Sequence, residues 1–555
     1  GKIGDLKLIY TGGYTTRHID QQNDYTNYSR TGSGVYYTCV GGGTGWGGNA
    51  QCYSPLTYWH DTIRNTHQSH EFRISTPSDK RIRFIGGAYW ERFKIQDNMN
   101  FEYKTIPSCT PQNLAIAQAG GPICVANVAP NPASTSNDPS VRDNNDGFGE
   151  DTQRGYDQLA FFGSADFDII PKVLTISGGT RYYKYTEYEV GSQYGTSTAC
   201  QNILNGTGCF GSVNIDAHND HVTYTGFKSR GEITWHFKPH SLAYFLFSQG
   251  FRPGGFNRSF NNVAPVGVDA AGNVLAIGAT GVVSKVNQYQ KPNSYAPDSL
   301  DNFEAGLKTE LLNHKLQLNF SAYLMNWRNV QLNFYNPSAG LGNTSFAVNG
   351  PNYRVKGAEL QFIGRPIPAL TIQGSLSYND NVQTNSPCFI SNIAGSPTNG
   401  QCITQVYSKQ TGTNIAFNNP FGAPGTVAAF APHFQGDVRA RYNWVVDHGM
   451  KAFVQAGVVY NSAEYNQPAT YTSGDVVNVP QVNPGPNGTT IPGTTLLRYR
   501  MPGYALLDAA IGFSKDNWSF QIFGSNLTNS HASTFTSSTQ YIKTEVPVRP
   551  LVFGV

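Results

Sequence analysis

Apolar and polar residues alternate along much of this chain. Every second residue is apolar or small in Leu316-Gln317-Leu318-Asn319-Phe320-Ser321-Ala322-Tyr323-Leu324 and in Leu370-Thr371-Ile372-Gln373-Gly374-Ser375-Leu376-Ser377-Tyr378. Trp518-Ser519-Phe520-Gln521-Ile522 and Leu174-Thr175-Ile176-Ser177 follow the same rule. A period of two puts the apolar set on one face of a strand and the polar set on the other. The pattern predicts sixteen strands, near 3–17, 66–76, 81–97, 155–168, 172–188, 221–238, 240–250, 297–311, 314–330, 354–365, 369–382, 430–446, 449–463, 498–514, 516–527 and 546–555.

Alternation alone also fits a soluble sandwich, so the connections decide. Short ones, such as Thr76-Pro77-Ser78-Asp79-Lys80, Ile170-Pro171, Lys238-Pro239, Leu312-Asn313, Arg365-Pro366-Ile367-Pro368, Val446-Asp447-His448 and Lys515, alternate with long ones of roughly 20 to 57 residues. Tight turns on one rim and long loops on the other describe an all-β, transmembrane, up-and-down antiparallel β-barrel, its turns periplasmic and its loops extracellular. A compact soluble domain has no reason to sort its loops in this way.

Composition agrees. Charged residues are only 14% of 555, against roughly 25% in soluble domains. Glycine (59), tyrosine (32) and phenylalanine (32) are abundant and methionine (4) is scarce. No run of about 18 uncharged apolar residues offers a transmembrane helix. A net charge of +3 gives no footing for nucleic acid. The chain opens at Gly1-Lys2-Ile3-Gly4-Asp5-Leu6 without an apolar leader, which is expected to have been removed or to lie upstream. Arg549–Val555 enters a strand too short to span, since spanning takes roughly 9–11 residues, so a truncated last strand is expected.

Eight cysteines fall as four pairs, each inside one long loop: Cys39 with Cys52, Cys109 with Cys124, Cys200 with Cys209, and Cys388 with Cys402. Local pairing is favoured because short loops close at less entropic cost, and four disulfides would place these loops in an oxidising compartment. Zinc is the competing reading, disfavoured by the lack of CxxC spacing. The outer loops are also rich in aromatics that could stack on a ligand or sit in a membrane-edge belt. The candidates for ligand contact are Tyr36, Tyr37, Trp46, Tyr53, Trp59, Tyr194 and Tyr335.

Little points to catalysis. No nucleophile elbow, P-loop, dinucleotide fingerprint or HExxH appears, so neither an enzyme nor a cofactor is expected. His218 and His221 stand three apart at a loop–strand junction and read as solvated rather than metal-ligating. The acidic run Asp143–Asp151 offers oxygen ligands that calcium prefers, but without EF-hand spacing it reads as a solvated loop.

Several junctions resemble those of TonB-dependent receptors. They are Phe245-Leu246-Phe247-Ser248-Gln249-Gly250-Phe251-Arg252-Pro253-Gly254-Gly255-Phe256-Asn257, and Asp298-Ser299-Leu300-Asp301-Asn302-Phe303-Glu304-Ala305-Gly306-Leu307-Lys308-Thr309-Glu310 with the following strand through Tyr323–Trp327. Val355-Lys356-Gly357-Ala358-Glu359-Leu360, Phe523-Gly524-Ser525-Asn526-Leu527-Thr528-Asn529 and Arg549-Pro550 complete the set. The resemblance is strongest over 155–555 and implies a barrel of about 22 strands occluded by an N-terminal plug. Residues 1–555 would then be a partial barrel lacking the plug and about six upstream strands.

By alternation Asn302, Glu304, Gly306, Lys308, Gly357 and Glu359 face the lumen, where Glu304, Lys308 and Glu359 would meet water or the plug; Phe303, Ala305 and Leu307 face lipid. The resemblance implies active uptake across the bacterial outer membrane of a bulky nutrient: a ferric siderophore first, an oligosaccharide or cobalamin otherwise. It also implies TonB and its ExbB–ExbD motor as partners, with lipid and lipopolysaccharide around the wall. A passive sixteen-stranded porin and an adhesive or structural barrel are the competing readings.

Overall fold

The computed structural model describes the chain outside residues 27–55, 106–109, 113–127, 143–144, 196–212, 258–262, 269–283, 291, 335–345, 388–389, 391–393, 395–398, 401–404, 409–412, 417–420, 422–423, 447–448, 468–475, 480–492, 497 and 538–542. Its main feature is one antiparallel sheet of 18 strands. Two of these are two-residue fragments, Lys2–Ile3 and Val213–Asn214. The other sixteen are the expected ones.

We label them β1 (Leu6–Asp24), β2 (Thr57–Ser75), β3 (Ile82–Tyr103), β4 (Asp146–Ile170), β5 (Leu174–Gly195), β6 (His221–Lys238), β7 (Ser241–Arg252) and β8 (Asp298–Leu311). Then follow β9 (Leu316–Arg328), β10 (Tyr353–Ile367), β11 (Leu370–Gln383), β12 (Phe434–Val445), β13 (Lys451–Asn461), β14 (Tyr504–Lys515), β15 (Trp518–Ser525) and β16 (Val552–Gly554). Each pairs with the next in sequence, giving an up-and-down meander with no crossover. Among the described residues β1 and β16 are not paired with each other.

Lipid offers backbone groups no hydrogen-bond partner, which is why consecutive strands must zip together. The two faces then separate by chemistry. One carries exposed Phe161, Phe227, Ile233, Trp235, Phe245, Phe303, Phe320, Leu376 and Val438, the surface a bilayer covers. Phe247 and Phe303 pack ring to ring across β7 and β8, centroids 5.1 Å apart.

The apolar face has a sharp upper boundary. Trp90 stands opposite Leu159; two residues further from the turns, Arg92 stands opposite Asp157. Arg92 and Asp157 form an ion pair at 2.5 Å, and the guanidinium lies 5.5 Å from the Trp90 ring. An ion pair turned outward belongs in water or headgroups, with the indole marking the interface. β3, β4 and β5 run 22, 25 and 22 residues, well beyond this boundary, whereas β13 has 11.

Several boundaries differ from expectation. β2 and β4 begin at Thr57 and Asp146, about nine residues earlier than alternation suggested. The last segment is divided: Thr544–Pro547 pairs with Ser533–Ser537, and only Val552–Gly554 joins β15. Pro547 and Pro550 have no N–H for a ladder, so a continuous strand cannot form there.

Candidate functional site

Antiparallel partners point to the same side of a sheet, so register assigns faces. Glu304 stands opposite Leu246 and Tyr323, Gly306 opposite Tyr244 and Ser321, and Lys308 opposite Leu242 and Asn319. Gly357 faces Tyr323 and Glu359 faces Ser321. Glu304, Lys308 and Glu359 thus share one face, opposite to Phe303. A barrel turns such a polar face inward.

The packing on this face is specific. The Tyr244 hydroxyl donates to Glu304, and its ring occupies the space a side chain at Gly306 would need. Tyr323 covers Gly357 in the same way, its hydroxyl bonding Asn379. The Lys308 ammonium lies 5.8 Å from the Tyr244 ring centroid. Glycine is required at both positions because a tyrosine from the neighbouring strand lies flat on the backbone. Further round the wall, Gln317, Asn319, Gln361, Ile363, Gln373 and Asp437 are among the residues that line a shallow concavity of mixed polarity.

A row of aromatic rings crosses this face on β2–β5. His67 meets Phe93 edge-on at 5.5 Å, Phe93 leads to Tyr156 at 5.8 Å, and Tyr156 stacks on Tyr185 at 4.7 Å. Glu91 ties the row together, bonding the His67 Nε2 at 2.6 Å and accepting from the Tyr156 hydroxyl at 3.0 Å. Tyr185 is buried; His67, Phe93 and Tyr156 keep part of their surface open. The row lies about ten residues above the short turns, where a spanning strand leaves lipid. It forms a half-open aromatic shelf on the polar face at the level where β3–β5 pass out of the lipid.

Above the shelf, residues 128–142 are strapped against the strand extensions. Asp151, fully buried, accepts from the Ser136 hydroxyl and from the backbone N–H groups of Asn137 and Asp138 at 2.7–2.8 Å. The Asp216 carboxylate takes the Thr135 and Gly191 backbone N–H groups, both at 2.7 Å. Buried Arg142 donates to the Tyr194 hydroxyl at 3.0 Å and pairs with Asp138 at 3.3 Å and Asp151 at 3.6 Å. Hydrogen bonds from Ser140 hold the Asp138 carboxyl below its usual range. Burial raises Asp220 to about 6, with Glu189 adding to the shift and His218 opposing it.

The expected site residues fare unevenly. Tyr36, Tyr37, Trp46, Tyr53, Tyr335 and all eight cysteines lie outside the described residues. Trp59 is in β2 rather than a loop, half-buried opposite Phe101. Tyr194 is in β5 with no exposed surface, so it offers no stacking face. Residues 146–151 of the acidic run form a strand, with Asp146 and Asp151 buried rather than solvated. His218 ends a 3-10 turn with its Nδ1 3.8 Å from Asp220, and His221 opens β6. The aromatic shelf stands on strands and not among the loop aromatics that the sequence offers for stacking. The signal was the spacing of Tyr183 and Tyr185, two apart on one strand face, with Tyr156 on the neighbouring strand.

Comparison with known proteins fits this geometry. The family model described as "TonB dependent receptor-like, beta-barrel" matches residues 4–527. The chain belongs to this family. Among solved structures it is similar to PiuA, a siderophore receptor from Acinetobacter baumannii (TM-score 0.53, 11% identity, covering 99% of this chain and 61% of that one). It is also similar to the ferric-catecholate import receptor Fiu of E. coli K12 in a closed form (0.53, 13%, 99% and 61%). A third is the ferric yersiniabactin uptake receptor FyuA from Yersinia pestis (0.52, 12%, 98% and 58%). At such identities the likeness is one of fold, and this TonB-dependent receptor barrel spans about 60% of the length of those chains.

Proposed function

We propose that this chain is the wall of a TonB-dependent outer-membrane transporter for a bulky nutrient, a ferric siderophore before an oligosaccharide or cobalamin. The aromatic shelf of His67, Phe93 and Tyr156 carries the reading. It sets flat rings on the polar face at the outer lipid boundary, a surface on which an aromatic chelate or a sugar ring can stack. Family membership supports the energised mechanism, in which TonB and the ExbB–ExbD motor open a path past a plug. Among the described residues β1 meets only the two-residue strand Lys2–Ile3 on its outer edge and is not paired with β16, which fits a wall completed by further strands. Glu304, Lys308 and Glu359 then face the plug or water. Lipid and lipopolysaccharide surround the apolar face, and disulfides staple the outer loops. Capture and passage need no covalent chemistry, so the protein acts as a receptor and not as an enzyme.

The test is growth of a deletion strain on single iron or carbon sources, with conductance of the complete protein in planar bilayers. Loss of growth on at least one ferric siderophore, restored by the gene, is the expected result. A defect confined to an oligosaccharide or cobalamin would replace the substrate class. Steady open-channel conductance would make the protein a porin, and intact uptake of every nutrient would leave adhesion as its role.

A further inference from the structure

The turn rim holds a group of side chains that nothing in the transport reading uses. His240 forms the two-residue turn between β6 and β7 with Pro239. Glu310 lies one residue from the end of β8, and His314 lies in the turn to β9. Seventy residues apart in sequence, the two turns are brought together by the β7–β8 ladder, and the Glu310 N–H donates to the His240 carbonyl at 3.0 Å. Potential ligand atoms of all three side chains lie within 4.8 Å of one another.

The backbone delivers His314 to this position against its own preference. Leu312, Asn313 and His314 have φ of 54°, 54° and 64°, three successive left-handed residues without a glycine. A side chain crowds the backbone in this conformation, so only glycine adopts it freely. This left-handed run turns the chain so that the imidazole lies back over its own strand, where Nδ1 bonds the Glu310 carboxylate. The His240 ring packs edge-on at 4.7 Å, with its Nδ1 3.9 Å from the same carboxylate oxygen. All three side chains are exposed, so an ion could reach them without any strand moving.

Two imidazoles and a carboxylate form the donor set that zinc and its neighbours take, with one position left for water. Calcium and magnesium prefer oxygen alone. Donors around such an ion sit roughly 3.3 Å apart, so forming the site takes about 1–1.5 Å of adjustment by exposed side chains, the His314–Glu310 contact opening as His240 closes in. We infer that His240, Glu310 and His314 bind a late first-row divalent cation of the zinc type, which ties the β6–β7 turn to the β8–β9 turn.

The experiment uses the complete, untagged protein in detergent, stripped with chelator and titrated calorimetrically with Zn2+. One equivalent should bind at micromolar or tighter affinity. His240→Ala, His314→Ala and Glu310→Gln should each weaken binding about tenfold or more. The double substitution of both histidines should abolish it, and exposed His531→Ala should change nothing. Co2+ in place of Zn2+ should give visible absorption in the native protein that the double variant lacks, which keeps the test valid should one variant fold poorly. No stoichiometric binding, or binding and Co2+ absorption that survive the double substitution, would overturn the site.

Discussion

The ring of Tyr244 lies over Gly306 on the neighbouring strand while its hydroxyl donates to Glu304, two residues away on the same face. Tyr323 and Gly357 repeat the arrangement one strand pair further on. A side chain at either glycine must therefore displace a tyrosine. Gly306→Val should cost about 1–3 kcal/mol, the range for overpacking. Tyr244→Phe, which keeps the ring and loses one hydrogen bond, should cost about 1 kcal/mol. The temperature at which the folded band disappears in semi-native electrophoresis ranks the two. A valine variant as stable as the native protein would show that the ring does not hold this position.

Arg142 is the pin of the strap. Removing one partner of a buried ionic network costs about 3–5 kcal/mol, but only the strap depends on this one. Arg142→Ala should leave the wall folded and speed amide exchange and proteolysis within 128–142, uncovering Tyr194. Unchanged protection of that segment would mean that Asp151 and Asp216 hold it unaided.

Asp220 supplies a pH dependence with a definite sign. Its carboxyl titrates near 6 in the folded protein, above the model-peptide value of 3.8. Between those values the folded state binds the proton more tightly, so stability falls as pH rises through that window and levels off above it. Glu189 and His218 face the group, and the Glu189 N–H donates to the Asp220 carbonyl at 2.9 Å. Screening by nearby solvent reduces the effect to about 1 kcal/mol. Exchange of the Glu189 amide, corrected for intrinsic rate, should be more protected at pH 5 than at pH 7. Asp220→Asn should flatten that difference; a native profile in the variant would assign it to another group.

The shelf should be felt by a ligand. Tyr156→Ala and Phe93→Ala each remove one ring face and should weaken binding about threefold to tenfold, the worth of one aromatic contact. Tyr156→Phe should retain most of the affinity. Equal losses for the alanine and phenylalanine variants would assign the effect to the hydrogen bond with Glu91 instead of the ring.

Period-two alternation revealed the sixteen strands and their short turns because a bilayer on one side and water on the other impose it. It failed where that asymmetry ends. Thr57–Asn65 and Asp146–Arg154 are strand beyond the Arg92–Asp157 boundary, with lipid on neither face, so no alternation marks them. The polar face of Glu304, Lys308 and Glu359 could be read for the same reason that it exists. The His240, Glu310 and His314 group could not, since only the register of two turns joins residues so distant in sequence.

The unequal strands give the entrance a direction. β4 carries fourteen more residues than β13, about 45 Å along the strand. On the β3–β5 side the ladder climbs unbroken far above the lipid, with the aromatic shelf at its foot; beyond β13 it continues as short paired rungs, Glu464–Tyr465 with Arg500–Met501 and Val476–Val479 with Gly493–Leu496. A ligand that meets the continuous flank would be led down it onto those rings.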